Sequence, residues 1–134
     1  MTRAAAIIVA GGQGNRAGAD TPKQWQLLLG RRVIDWSIES FSAHPEISDI
    51  VVVAAPELGA PKAGQRFVRA EPGETRTQSV LSGLRALNLP AETPVMIHDA
   101  ARPGIEATTI SALIAALGEA DAAAPALPVA DALK

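Results

Sequence analysis

Cysteine is absent from the 134 residues, which excludes a disulfide framework, a thiolate zinc site and a cysteine nucleophile. A reducing cytoplasm is the expected location. Aromatic side chains are scarce at 3%, and neither tryptophan stands at the carboxyl end of an expected strand, so Trp25 and Trp36 read as core or interface packing rather than base-stacking platforms. Neither sign of charge dominates: the formal net charge is −2, so no broad nucleic-acid surface is expected and any anion must be met locally. Long hydrophobic runs are missing too. The apolar run at the N-terminus is too short for a bilayer and closes on Gly11-Gly12, so neither a membrane segment nor a signal peptide is expected.

What is present is enough apolar material for a core. With 48% apolar residues, the chain has the length of one modest domain, residues 1–134, and no second domain is expected. Strand-length apolar runs fall at 4–9, 50–55, 95–97 and 122–129, with a weaker one at 66–69. Between them lie three helical patterns. The stretch 33–41 aligns Ile34, Ile38 and Phe41, the stretch 77–87 aligns Val80, Leu84 and Leu87, and 108–117 aligns Ile110, Leu113, Ile114 and Leu117. Such alternation predicts an α/β fold, a mostly parallel sheet with helices on both faces, whose ligand sits outside the carboxyl ends of the strands. The loops that matter are therefore 10–23, 55–65, 71–77 and 98–105. The chain stops at Lys134 directly after the last of these strands, a pattern expected of a fragment.

Three constellations occupy those loops. After the first strand, Ala10 leads into Gly11, Gly12 and Gly14, whose backbone N–H groups can turn toward an anion, and Arg16 and Lys23 supply the charge a polyphosphate needs. An ordinary strand-to-helix turn with solvated charges would have the same composition. The spacing from Gly12 to Ala17 also fits a dinucleotide fingerprint, but Pro22-Lys23 interrupts the helix it requires and no second strand ends on an acidic residue about 20 positions further on. Nor does the loop match a P-loop.

The second constellation is His98-Asp99-Ala100-Ala101-Arg102-Pro103, which follows a buried strand. Asp99 can hold a ribose hydroxyl or a magnesium ion, since Mg²⁺ is commonly bound by one or two carboxylates together with substrate phosphates. Arg102 can take a phosphate bidentately. An Asp–Arg pair that merely closes the loop is the simpler alternative, and His98 reads as structural rather than catalytic. The third, from Gly73 and Glu74 to Ser79, opens a helical pattern and suits a nucleobase edge or an anion, although a plain N-cap at Thr75 or Thr77 explains it almost as well.

Taken together, the Ala-Gly-Gly-x-Gly-x-Arg loop, Pro22-Lys23-Gln24, the 74–79 stretch and His98-Asp-Ala-Ala-Arg-Pro103 resemble the 2-C-methyl-D-erythritol 4-phosphate cytidylyltransferases over nearly the whole chain. The resemblance implies a Rossmann-like nucleotidyltransferase fold, truncated here, with CTP and a polyol phosphate as substrates, Mg²⁺ as cofactor, and a homodimer at full length. It implies that Arg16 and Lys23 stabilise charge on the α-phosphate. Cytidine would lie on Ala10, Gly11 and Gly12, with Gly73, Glu74 and Ser79 around the base and Asp99 and Ala100 at the ribose. Asp99 and Arg102 would face the acceptor phosphate. A ribitol-phosphate cytidylyltransferase shares these motifs, and a dinucleotide-binding dehydrogenase module is the alternative from another class. The sequence departs from the family at Ala132, where a threonine is usual, and it lacks the later arm and the further lysine and arginine. Some relatives are fused to a cyclodiphosphate synthase.

Overall fold

In a computed structural model, the description covers residues 3–10 and 22–126. Strand β1 (Ala4–Ala10) is buried along its whole length, as expected of a strand covered on both faces. It lies between β4 (Ile47–Ala54) and β6 (Val95–Asp99), and β5 (Val68–Ala70) completes a four-stranded sheet of order β5-β4-β1-β6 in which every pairing is parallel. Two short strands, β2 (Leu27–Leu28) and β3 (Arg31–Arg32), form a separate antiparallel hairpin that the apolar pattern alone does not reveal. Its turn places Leu29 and Gly30 at φ 53° and 81°.

The alternation of side chains along β1 divides the core in two. Ala4, Ala6, Ile8 and Ala10 face helices α1 (Val33–Ser42) and α3 (Ala107–Ala116), packing with Ile34, Ile38, Phe41, Ile110 and Ile114. Ile7 and Val9 face the other way, with Val51, Val53 and the α2 side chains Val80 and Leu87. Among the described residues, helix α2 (Arg76–Leu87) alone covers that face. The expected parallel sheet with helices on both faces is the one observed.

Helix α2 comes close to the sheet because residue 83 is glycine. A Cβ there would stand 2.7 Å from Ile7 Cγ2 and 3.1 Å from Val53 Cγ2, both on buried strands. Alanine would gain about 1 kcal/mol of helix propensity, whereas forcing a methyl into such a contact costs about 1–3 kcal/mol. Gly83→Ala is therefore expected to lower the melting temperature by a few degrees, and a rise would show that the helix can back away freely.

One expected strand is not found. Residues 122–126 carry no strand; 122–125 line a groove beside β6 with Val95, Ile97, Leu113 and Leu117. Three alanines and Pro125, which lacks a ladder donor, make a poor strand. Positions 127–129 of that expectation lie outside the described residues, as do Gly11, Gly12, Gly14, Arg16 and Ala132.

Candidate functional site

Because β1 and β6 are parallel neighbours in register Val9 with Asp99, both deliver their carboxyl ends to the same rim. The start of α2 reaches that rim from the side. Thr75 is its N-cap and accepts a hydrogen bond from Gln78 N at 3.1 Å, while the Gln78 side chain returns to accept from Glu74 N at 2.8 Å. This reciprocal arrangement is close to a capping box. Gly73 N donates to Ser79 Oγ at 3.0 Å, and a side chain at Gly73 would collide with Gln78, so the loop can fold onto the helix only as glycine. Of the two threonines that could cap, position 75 does so.

Between α2 and β6 lies a cavity of about 220 Å³ lined by Val9, Gly73, Glu74, Thr75, Arg76, Ser79 and Asp99. Four residues expected from sequence, Gly73, Glu74, Ser79 and Asp99, thus meet in one place. Pockets for drug-sized molecules run to about 300–1,000 Å³, so this one suits a single base with part of its sugar. Val9 lines the cavity without any signal in the sequence, while Thr75 and Arg76 line it from within the 73–79 constellation, where neither is given a place of its own in the site. The signal for Arg76 was its position at the first turn of a helix whose N–H groups have no intrahelical partners.

Ala100 is fully buried; its N–H donates to Val9 O at 3.0 Å and its carbonyl accepts from Ser37. It closes the β1–β6 junction behind the cavity. Ala10 ends β1, and its carbonyl accepts from Gln24 Nε2 at 3.1 Å across a buried contact. That bond ties the 3-10 turn Lys23–Trp25 to the end of β1 and sets Lys23, exposed on the same turn, near the rim. Trp25 packs partly against the core under the Arg32 guanidinium, 5.4 Å from the ring centre, and Trp36 donates Nε1–H to Leu28 O at 2.8 Å. Trp25 packs on the core, as expected, whereas Trp36 joins neither core cluster and is held by Leu28 O and by Arg31 over its ring.

Arg102 lies in a neighbouring open groove with His98, Pro103, Glu106 and Thr109. Its Nε stands 4.0 Å from Asp99 Oδ2, a loose pair with side chains 82% and 48% exposed, which contributes little to stability and leaves both groups available to a ligand. Asp99 Oδ1 accepts from Ala101 N at 3.0 Å. His98 is half-buried against the Phe41 ring, and burial lowers its pKa below 6.5 against the opposing pull of the Arg102 carbonyl and Asp99. Among the described residues no group of three His, Cys, Asp or Glu side chains converges. None of the helices there is long and apolar enough to cross a membrane. The strand beside β1, β4, ends on Ala54, so the acidic residue that a dinucleotide site requires is missing there.

Comparison with known proteins agrees with this geometry. The family model described as IspD, 2-C-methyl-D-erythritol 4-phosphate cytidylyltransferase, matches residues 4–134. The bifunctional enzyme IspD/IspF of Hyphomonas neptunium is 62% identical over 136 residues, which covers 100% of this chain and 36% of the relative. Its counterpart in Caulobacter vibrioides is 46% identical over 96% of this chain and 35% of its own length. The chain thus spans about a third of these curated relatives. Among solved structures, bifunctional IspDF from Campylobacter jejuni superposes with a TM-score of 0.79 at 27% identity, covering 99% of this chain and 35% of that one. The 2-C-methyl-D-erythritol 4-phosphate cytidylyltransferase of Thermus thermophilus gives 0.75 at 30% identity, over 98% of this chain and 58% of its own. With a family match over residues 4–134, the chain belongs to the 2-C-methyl-D-erythritol 4-phosphate cytidylyltransferase family.

Proposed function

We propose that the chain forms the CTP-binding part of an enzyme that transfers a cytidylyl group from CTP to 2-C-methyl-D-erythritol 4-phosphate and releases pyrophosphate. The observation that carries the proposal is the cavity between the start of α2 and Asp99 at the carboxyl ends of parallel strands. The base lies at Gly73, Glu74 and Ser79, where backbone groups and a hydroxyl line a space of about 220 Å³. An oxygen of the acceptor phosphate attacks the α-phosphorus of CTP, a new P–O bond forms, and the bond to the bridging oxygen breaks as pyrophosphate leaves. Such chemistry requires little covalent help and depends on alignment and on cations where charge develops. Lys23 and Arg16 supply those cations, while Arg102 and Asp99 orient the acceptor.

Asp99 also fits a magnesium ion. Its Oδ1 is held by Ala101 N while Oδ2 lies 4.0 Å from Arg102 Nε, and one carboxylate with substrate phosphates is a normal Mg²⁺ environment. The ion would neutralise charge on the triphosphate oxygens. A homodimer of the whole protein in the cytoplasm completes the reading, with the lack of cysteine supporting that location.

Calorimetric titration with CTP and then ATP, each with Mg²⁺, tests the assignment, followed by pyrophosphate release on adding the acceptor to the whole protein. CTP-selective binding is expected, with turnover on 2-C-methyl-D-erythritol 4-phosphate but not on ribitol 5-phosphate. Equal affinity for the two nucleotides would refute the base assignment.

A further inference from the structure

Helix α1 buries two side chains that its apolar stripe does not explain, Asp35 and Ser37. Ser37 is completely buried among Ile34, Ile38 and Phe41, where a hydroxyl needs partners. Its Oγ lies 3.2 Å from Ala100 O and 3.3 Å from Arg102 O, a hydroxyl shared between two carbonyls of the turn that carries Asp99 and Arg102. The Arg102 carbonyl has a second donor. His98 Nε2 lies 2.9 Å from it, and since a carbonyl can only accept, Nε2 carries the hydrogen. The His98 ring is steadied 5.2 Å from Phe41, one helical turn beyond Ser37. Arg102 N closes the turn on Asp99 O at 3.1 Å.

We propose that Ser37 and His98 are positioning residues that clamp the Arg102 carbonyl and thereby hold the Arg102 side chain, in the groove beside the CTP cavity, in the geometry that receives the acceptor phosphate. The proposal rests on the acceptor role given to Arg102 above. The Arg102 side chain is exposed, so no packing of its own fixes it and the backbone beneath must do so. Neither Ser37 nor His98 needs to touch the substrate.

Ser37→Ala, His98→Leu and His98→Gln in the whole protein separate this from a general packing role. Glutamine retains an N–H near the place of Nε2, whereas leucine retains only the bulk. Ser37→Ala and His98→Leu are expected to raise KM for the acceptor about three- to tenfold, the fold-change that one ordinary hydrogen bond supplies. KM for CTP should move less than about twofold, and His98→Gln should recover most of the loss. Equal rises in both KM values, or a glutamine variant no better than leucine, would overturn the clamp. Amide exchange at Ala101 and Arg102 reads the turn without any substrate: faster exchange is expected in Ser37→Ala and His98→Leu, and unchanged exchange refutes the proposal. A wild-type protein that bound CTP yet ignored the acceptor would instead refute the functional reading, while the exchange result still decided the clamp. Ser37→Ala removes a single oxygen and keeps the Phe41 packing, so it serves if His98→Leu does not fold.

Discussion

Lys23→Ala is expected to lower kcat about 10²–10³-fold, the effect of deleting one pre-placed charge stabiliser from a reacting centre. CTP affinity should change far less. The reason lies in how the turn is held. Gln24 Nε2 binds Ala10 O at 3.1 Å, Trp25 N donates to Pro22 O at 3.0 Å, and Gln26 N donates to Lys23 O at 3.2 Å, so the backbone under Lys23 is anchored to the end of β1. Arg32 stacked over Trp25 closes the other side. An ammonium group carried on such a turn needs little rearrangement as negative charge grows on the α-phosphate, so its removal falls on the transition state more than on bound CTP. Arg16→Ala is expected to behave in the same way by the family resemblance. Single-turnover rates with CTP binding measured alongside decide the matter: equal losses in rate and binding would make these residues ground-state anchors.

Asp35→Ala is expected to cost about 3 kcal/mol of stability, at the low end for a broken buried ion pair. The carboxylate, 3% exposed, accepts from Arg32 Nε at 2.8 Å and Nη2 at 3.0 Å, from Lys62 Nζ at 3.0 Å and from Gln65 Nε2 at 2.9 Å. Removing it leaves two cations facing one another without compensation. The cost stays near the low end because the Lys62 side chain is 56% exposed and the Arg32 side chain 19%, so water screens part of the loss. Burial opposes ionisation of Asp35, but the bonds from Arg32, Gln65 and Lys62 prevail and hold its carboxyl well below the ordinary 3.8. Since the folded value is depressed, this contribution is fully present above pH 3.8 and is lost as the pH falls below it toward the folded value. Denaturant melts of wild type and Asp35→Ala at neutral pH and near pH 3 provide the check: the difference should narrow in acid. A difference that stayed constant would remove Asp35 from the linkage.

Much of the architecture is legible in the apolar pattern of the sequence. The runs at 4–9, 50–55 and 95–97 became β1, β4 and β6 with shifts of a few residues at their ends, and the stripes Ile34-Ile38-Phe41 and Ile110-Ile114 became the faces of α1 and α3 turned toward the sheet. Periodicity is a local property, and burying a continuous apolar strand between two helical layers leaves few alternatives. The C-terminal expectation fails over 122–126 because Pro125 and the low strand propensity of alanine outweigh the apolar content there. The β2–β3 hairpin is not legible in the apolar pattern, because its leucines Leu27, Leu28 and Leu29 are 72%, 41% and 84% exposed and form no buried stripe.

By itself the sequence determined the alternation of the four main-sheet strands with the three long helices, the rim expected to hold a ligand, and the family whose motifs fill the loops. Tertiary structure alone decided which polar groups serve those motifs: Gln24 on Ala10, Asp35 at the meeting of Arg32, Lys62 and Gln65, and Ser37 on Ala100 and Arg102. Ser37 reaches carbonyls 63 and 65 residues away, a separation at which residue spacing carries no information. A buried hydroxyl or carboxylate must find partners to offset its lost hydration, and only the packing of α1 against the end of β6 specifies which groups are within reach.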